Sequence, residues 1–382
     1  MNYLDNAATT FPKPECVYTV SDSFYRSSGA NAERGQSPLA RQAAKMIADT
    51  RQKLATWLSA PTPEQVIFTP SATIALNYAI LGTSLKYGDV VYVTPFEHNS
   101  VLRPVEHLRQ TLSIIVREIP VQPGTYAVQF DRLKAQFRAE PPEMVIITQA
   151  SNVCGFMPPV EEIVQLARKV NPDVTIIVDG AQVAGLYPLD LNDGLVDYYI
   201  FSGHKSLYGS YGASGFVLCT EKRPQPIIFG GTGTQSESLE MPNSLPSAYE
   251  AGSQNVWAIA GLSAALDWLK EQGREKIVKH CQSLTEMLVE SLQKIPGVRM
   301  YLPSASQRIS IVSFNLSGIA PQMLENALGT QAIAVRAGLH CAPWAHRWLG
   351  TLESGGTVRV SAGFFNTEED IKALTKFLAG LK

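Results

Sequence analysis

The chain has 382 residues, 45% of them hydrophobic, with a formal net charge of −2. That length suits a large domain with a smaller companion, and the apolar content excludes a disordered chain. The charge balance excludes strong attraction to nucleic acid or an anionic membrane. No apolar run reaches transmembrane length, and the opening "MNYLDNAATT" lacks the basic region and apolar core of a signal peptide.

In chain order, the stretch "PLARQAAKMIADTRQKLATWL" has helical periodicity, followed by an apolar strand, "EQVIFTP", and the helical "SATIALNYAILGTSLKYG". The strands "DVVYVTP", "SIIVREIP", "EMVIITQ", "VTIIVDG", "DYYIFSG" and "ASGFVLC" come next, with helical "VEEIVQLARKV" among them. Several of these strands are apolar throughout, as in a sheet covered on both faces. This rhythm predicts an α/β fold with a mostly parallel sheet. After about residue 265 the pattern changes to two long helices, then "VRMYL", "ISIVSFNLS", "AIAVRAG" and "TVRVSAG". "NTEEDIKALTKFLAGLK" closes the chain as a helix, with Thr367 and Asp370 at capping-box spacing. We expect a large domain over 13–264, and a small α+β domain from 1–12 and 265–382. The five cysteines (Cys16, Cys154, Cys219, Cys281 and Cys341) are an odd, widely spaced set without a CxxC pair. They form no disulfide framework and fit a reducing cytoplasm.

In open α/β sheets, ligands bind beyond the carboxyl ends of the strands. Five such ends carry Thr73 beside Ser71; His98 beside Glu97; Asn152 beside Ser151; Asp179 with Gln182; and Ser202 with His204 and Lys205. An amine suits an aldehyde cofactor, a carboxylate suits a protonated pyridine nitrogen, and hydroxyls with a helix start suit a phosphate. Pyridoxal 5′-phosphate (PLP) needs all three. Nucleotide motifs fit less well. "GHKS" lacks the glycine that precedes the lysine of a phosphate loop, and neither "GGTGTQS" nor "GSYGASG" completes GxGxxG. Taken singly, Lys205 reads as a surface lysine, Asp179 as a helix cap and His98 as a satisfied interior histidine. Their arrival at one rim in this order argues for a shared ligand.

The segments "YLDNAATTFPKPE", "EHNSVLRP", "ASNVCG", "VDGAQ", "FSGHKSLYG", "EAGSQN", "VRAGLHCAP" and "TVRVSAGFFNTEEDI" resemble, in order and spacing, the class V aminotransferase-like PLP enzymes. Cysteine desulfurases and selenocysteine lyases are the nearest resemblance, and it covers essentially the whole chain. It implies fold type I and a homodimer with active sites at the subunit interface. By position, Lys205 resembles the lysine that holds PLP, and Asp179 the partner of the pyridine nitrogen. Gln182 resembles the residue at the ring oxygen, and His98 the imidazole stacked on the ring, where acid/base catalysis and stacking alone are both open roles. Thr73, Ser202 and His204 match phosphate positions. Ser253 matches a phosphate position reached from the partner subunit, commonly Thr. Asn152 and Arg359 resemble the binders of the substrate carboxylate. The phosphate turn departs from its relatives: Ala72, Thr73 and Ile74 stand where two threonines and a Glu are common.

Cys341, in "RAGLHCAPW", reads as a loop thiol beside His340, the setting of an activated nucleophile. The other four cysteines read as small hydrophobes. His340, Cys341 and His346 lack the fourth ligand and regular spacing of a structural zinc site. By resemblance, Cys341 stands at the sulfur-acceptor position. The expected reaction is L-cysteine to L-alanine, with a persulfide on Cys341 passed to an acceptor such as a protein. Selenocysteine lyase, transamination and β-elimination remain alternatives from the residues alone.

Overall fold

The computed structural model describes residues 1–32, 37–235 and 237–381. Its first strand, β1 (Asn2–Tyr3), precedes seven strands of one large sheet. These are β2 (Val66–Thr69), β3 (Val90–Val93), β4 (Ile115–Glu118), β5 (Met144–Thr148), β6 (Thr175–Asp179), β7 (Tyr198–Ser202) and β8 (Ser214–Leu218). The sheet order is β2-β8-β7-β6-β5-β3-β4, and only β8 runs antiparallel to its neighbours. All seven expected strands form, each trimmed at its ends.

Five-residue runs such as Thr175–Asp179 and Tyr198–Ser202 are buried throughout because helices cover both faces. The pleat sends alternate side chains to two cores. Ile176 and Val178 join one core; Ile177 joins the other. The first core also takes the helices Pro38–Leu58 and Val256–Gln272. Ser37 caps the former by accepting from Ala40 N at 3.2 Å, with Pro38 in its first turn.

The small domain carries β9 (Val298–Tyr301), β10 (Ile311–Leu316), β11 (Ile333–Ala334), β12 (Arg336–Gly338) and β13 (Thr357–Ser361). A four-stranded antiparallel sheet runs β12-β13-β10-β9. The expected single strand "AIAVRAG" divides at Val335. Its first half pairs parallel with β1 and its second half antiparallel with β13, so two sheets share it. The helix Glu368–Gly380 starts at the expected capping box, where Thr367 N donates to Asp370 Oδ2 at 2.9 Å.

The division expected between residues 264 and 265 falls inside the helix Val256–Gln272. Leu266, Leu269, Ile277 and Cys281 pack in the large-sheet core, and Leu284 and Leu288 in the small-domain core. We therefore propose that the domains divide within the helix Arg274–Leu292, between Cys281 and Leu284. At the other end, Leu4 belongs to the small-domain core, and Asp5 bridges to Ser361 beside β13. No helix among the described residues is long and apolar enough to cross a membrane.

A buried ion pair fixes the strand that feeds the candidate site. Arg51 donates to both Glu250 oxygens, at 2.7 and 2.8 Å, and Glu250 Oε1 also accepts from Phe68 N at 2.7 Å. Removing one partner strands the other charge. Arg51→Ala is expected to cost about 3–5 kcal/mol, read as a lowered midpoint of denaturant unfolding. A midpoint equal to wild type would show that Glu250 finds another partner.

Candidate active site

The carboxyl ends of β2, β3, β5, β6 and β7 meet around one cavity of about 200 Å³. Thr73, His98, Asn152, Asp179, Gln182, Ser202, His204 and Lys205 line it, with Ser71 and Ser100. The sheet order reverses between β3 and β5, and this switch point opens the crevice. His98 follows β3 on one side of it and Asn152 follows β5 on the other.

Two helices begin at the cavity. Ser71 caps Ala72–Leu81 by accepting from Ile74 N at 3.3 Å. The first N–H groups of a helix have no partner within it, so this end suits an anion. His98 caps Asn99–Leu112: its Nδ1 accepts from Ser100 N at 3.0 Å. In the neutral ring that leaves the hydrogen on Nε2. Ser100 Oγ lies 2.9 Å from both His98 Nδ1 and Thr73 Oγ1, so it couples the ring to the helix start. Sequence reasoning missed Ser100; its signal was the spacing of two residues from His98 at a helix start.

Lys205 sits in a tight turn after β7, closed by Gly209 N donating to Gly203 O at 2.7 Å and Tyr208 N to Lys205 O at 2.8 Å. Gly203 is required there: a Cβ would lie 1.9 Å from the Ala213 carbonyl oxygen. The His204 carbonyl is a point of convergence. It accepts from Thr9 Oγ1 at 2.9 Å, Thr10 N at 3.2 Å and Lys13 Nζ at 2.6 Å. The N-terminal segment thereby grips the peptide next to Lys205. Gln182 adds to that grip, its Nε2 donating to Ala7 O at 3.1 Å.

Burial pushes the Lys205 ammonium down to about 8, with Arg359 and Arg336 acting in the same direction and Asp179 opposing. Burial raises Asp179, while Ala181 N, donating at 3.0 Å, and Lys205 favour its charged form. His98 is pushed down to about 4, mainly by burial and then by Lys205. His204 is pushed down to about 3 by burial, then Lys205 and Lys13. Both rings are therefore neutral near pH 7. Glu97 is buried and raised to about 8, chiefly by burial. It accepts from Thr94 Oγ1 at 2.6 Å and Thr148 N at 2.7 Å, joining the ends of β3 and β5.

Arg359, Cys341 and Ser253 do not line this cavity. Arg359 lies within β13 and is 1% exposed. Its Nη1 donates to Asn152 O at 2.8 Å and its Nη2 to Asp5 Oδ1 at 2.5 Å, while its Nε is buried without a partner among the described residues. The Cys341 loop is braced against the cavity rim: Asn152 Nδ2 donates to His340 O at 2.6 Å, and Asn99 N to Cys341 O at 2.7 Å. Asn152 thus touches cavity, guanidinium and loop at once. His340, next to the thiol in sequence, makes its ring hydrogen bonds elsewhere. The His340 Nε2 faces Thr357 Oγ1 at 3.1 Å, and it is Arg336 Nη2 that meets Cys341 Sγ, at 3.5 Å. Ser253 is exposed and accepts from Asn31 Nδ2 at 3.0 Å.

A mostly parallel sheet whose strand ends converge on a lysine and a buried carboxylate, beside a smaller α+β unit, has the arrangement of a class V aminotransferase fold. The family model for aminotransferase class V matches residues 2–374, and the chain belongs to that family. A "Probable cysteine desulfurase" of Halalkalibacterium halodurans is 32% identical over 391 residues, covering 100% of this chain and 93% of its own. One of Vibrio cholerae is 31% identical, covering 97% and 91%. The apo structure of a cysteine desulfurase from Thermococcus onnurineus has a TM-score of 0.91 at 27% identity, with 99% and 94% covered. An Escherichia coli cysteine desulfurase in an S-sulfonic acid form has 0.86 at 29%, with 99% and 93% covered.

The residues fit PLP on the structure's own terms. A lysine of lowered basicity faces a buried carboxylate, a helix start lies at the far rim, and His204 Nδ1 is buried without a partner among the described residues. In cofactor-free protein, Lys205 is expected to react with small aldehydes with half-maximal rate near about pH 8, where its amine is half deprotonated. Asp179→Asn removes the charge that supports the ammonium, so the profile should move to lower pH. Reductive methylation at graded pH with peptide mapping measures both. A profile that stays in place or moves up would show that Asp179 does not bear on the amine.

Proposed function

We propose that the protein is a PLP-dependent cysteine desulfurase that takes sulfur from L-cysteine onto Cys341 and releases L-alanine. The observation that carries this reading is the bracing of the Cys341 loop on Asn99 and Asn152, which brings a thiol to the rim of the lysine cavity. The names of the relatives and the likeness to solved desulfurases support it.

PLP bound here would supply an electron-withdrawing ring that makes the substrate's α-hydrogen acidic. Lys205 would hold it by its amine, Asp179 by its pyridine nitrogen, and Thr73, Ser202 and His204 by its phosphate. Gln182 would turn toward the ring oxygen, and His98 would lie on the ring. Asn152 and Arg359 orient the substrate carboxylate, for which the Arg359 Nε is the open donor. Lys205, released by the incoming substrate amine, takes the α-hydrogen as a neutral base; its lowered basicity keeps a useful neutral fraction near neutral pH. The Cys341 thiolate then attacks the substrate sulfur. A sulfur–sulfur bond forms and the carbon–sulfur bond breaks, leaving its electron pair with the β-carbon. Protonation of that carbon completes the methyl group, Lys205 returns the proton to the α-carbon to give alanine, and Cys341 keeps the sulfur as a persulfide for an acceptor. Since His98 Nδ1 is committed to Ser100, only its Nε2 can exchange a proton. In this reading the protein works as a cytoplasmic homodimer, with Ser253 reaching the partner's phosphate site. Its exposure outside its own cavity supports that placement.

Cys341→Ala is expected to abolish alanine formation from cysteine. Wild-type protein given cysteine without reductant should carry one extra sulfur on the Cys341 peptide by mass. Alanine release at the wild-type rate by the variant, with no added sulfur in wild type, would replace this reading with β-elimination or transamination. Arg359→Ala should raise KM for cysteine at least tenfold, measured by steady-state kinetics. It should also lower stability, because Asp5 and the Asn152 carbonyl lose their partner.

A further inference from the structure

β12 and β13 place two arginines side by side: Arg336 and Arg359 are directly opposed in the antiparallel register. Their situations differ. Arg359 is held by Asp5 and the Asn152 carbonyl. Arg336 is half-buried and has no carboxylate within ion-pair distance among the described residues. Its hydrogen-bond partner is Cys341 Sγ, 3.5 Å from Nη2. Arginine stays charged in proteins, and a half-buried charge without an anion is costly. It also raises the local positive potential felt by Lys205, His98 and His340. An anion at the end of its side chain would offset that cost, and the atom found there is the sulfur.

The backbone supports the same geometry. His340 and Cys341 both take the left-handed conformation, with φ of 47° and 58°. Such residues are uncommon outside glycine and are held by their surroundings. Here the two bonds from Asn152 and Asn99 fix the carbonyls of this pair. The side chain of Cys341 is thereby presented to Arg336 by a turn that has little freedom to move.

We propose that Arg336 holds the sulfur of Cys341 in its anionic form and so sets the reactivity of the nucleophile. This rests on the reading of Cys341 as the sulfur acceptor. A guanidinium at this distance favours thiolate over thiol, which is the form that attacks. It also serves the outgoing side of the reaction. The persulfide carries its negative charge on a terminal sulfur within reach of the same fork, so one cation attends the sulfur before and after transfer.

The test is alkylation of Cys341 by iodoacetamide in protein without substrate, followed by peptide mass at fixed times. At neutral pH, Arg336→Met should slow Cys341 alkylation about tenfold or more, while Arg336→Lys should retain much of the wild-type rate. At about pH 10, where an unassisted thiol ionises by itself, Arg336→Met should catch up with wild type, which a misplaced or unfolded loop would not do. Equal rates for wild type and Arg336→Met at neutral pH would overturn the proposal. So would a variant that alkylates normally but binds cysteine poorly, since Arg336 would then be a substrate-carboxylate ligand. Slower alkylation of Arg336→Met supports the proposal even if Cys341→Ala still makes alanine, a result that would overturn only the desulfurase reading.

Discussion

The guanidinium of Arg359 is the interaction on which the site's assembly depends. A charge this deeply buried must have partners, and its partners come from two distant parts of the chain. The side chain stands on β13 of the small domain, Asp5 arrives from the N-terminal segment, and the Asn152 carbonyl follows β5 of the large sheet. Satisfying one cation therefore requires that both domains and the first residues be in register. The same Asn152 then passes its own amide to the Cys341 loop. The placement of the thiol relative to the lysine cavity is thus a consequence of solvating one buried charge.

The electrostatic character of the site follows from counting which groups keep their charge. Lys205, Arg336 and Arg359 face Asp5 and Asp179, while burial holds His98 and His204 neutral and raises Glu97 toward its neutral form. The balance leaves a surplus of positive charge at a crevice with low-dielectric walls. That suits ligands bearing carboxylate, phosphate and thiolate groups, and it draws them in without adding net charge to the molecule as a whole.

The large sheet was legible in the sequence because its strands are apolar runs, and a fully buried strand has little other way to read. The rim residues were legible because a polar cluster straight after such a run has to sit at a strand end. What escaped the sequence depends on contacts between distant segments. Asp5 meets Arg359 across 354 positions, and no local pattern announces that pair. The neighbour of Cys341 was misread for a related reason. His340 is adjacent in sequence, but consecutive left-handed residues turn its ring toward Thr357 and leave Arg336 facing the sulfur. Resemblance supplies candidate residue identities; it does not supply which atoms meet. The proposed domain division rests on contacts of the same kind, since the helix Arg274–Leu292 begins on one core and ends on another.

The donors gathered on the His204 carbonyl, together with the bond from Asp5 to Arg359, bear on how the molecule is made. Both contacts join the first thirteen residues to segments synthesised much later. At a translation rate of about 5–20 residues per second, Asp5 leaves the ribosome roughly 20–70 s before Arg359 does. Asp5 has no partner until then, whereas the His204 turn and all seven strands of the large sheet, the last ending at Leu218, are synthesised earlier. The grip of residues 9–13 on the lysine turn needs no segment beyond Lys205, whereas the bond from Asp5 to Arg359 waits for the small domain.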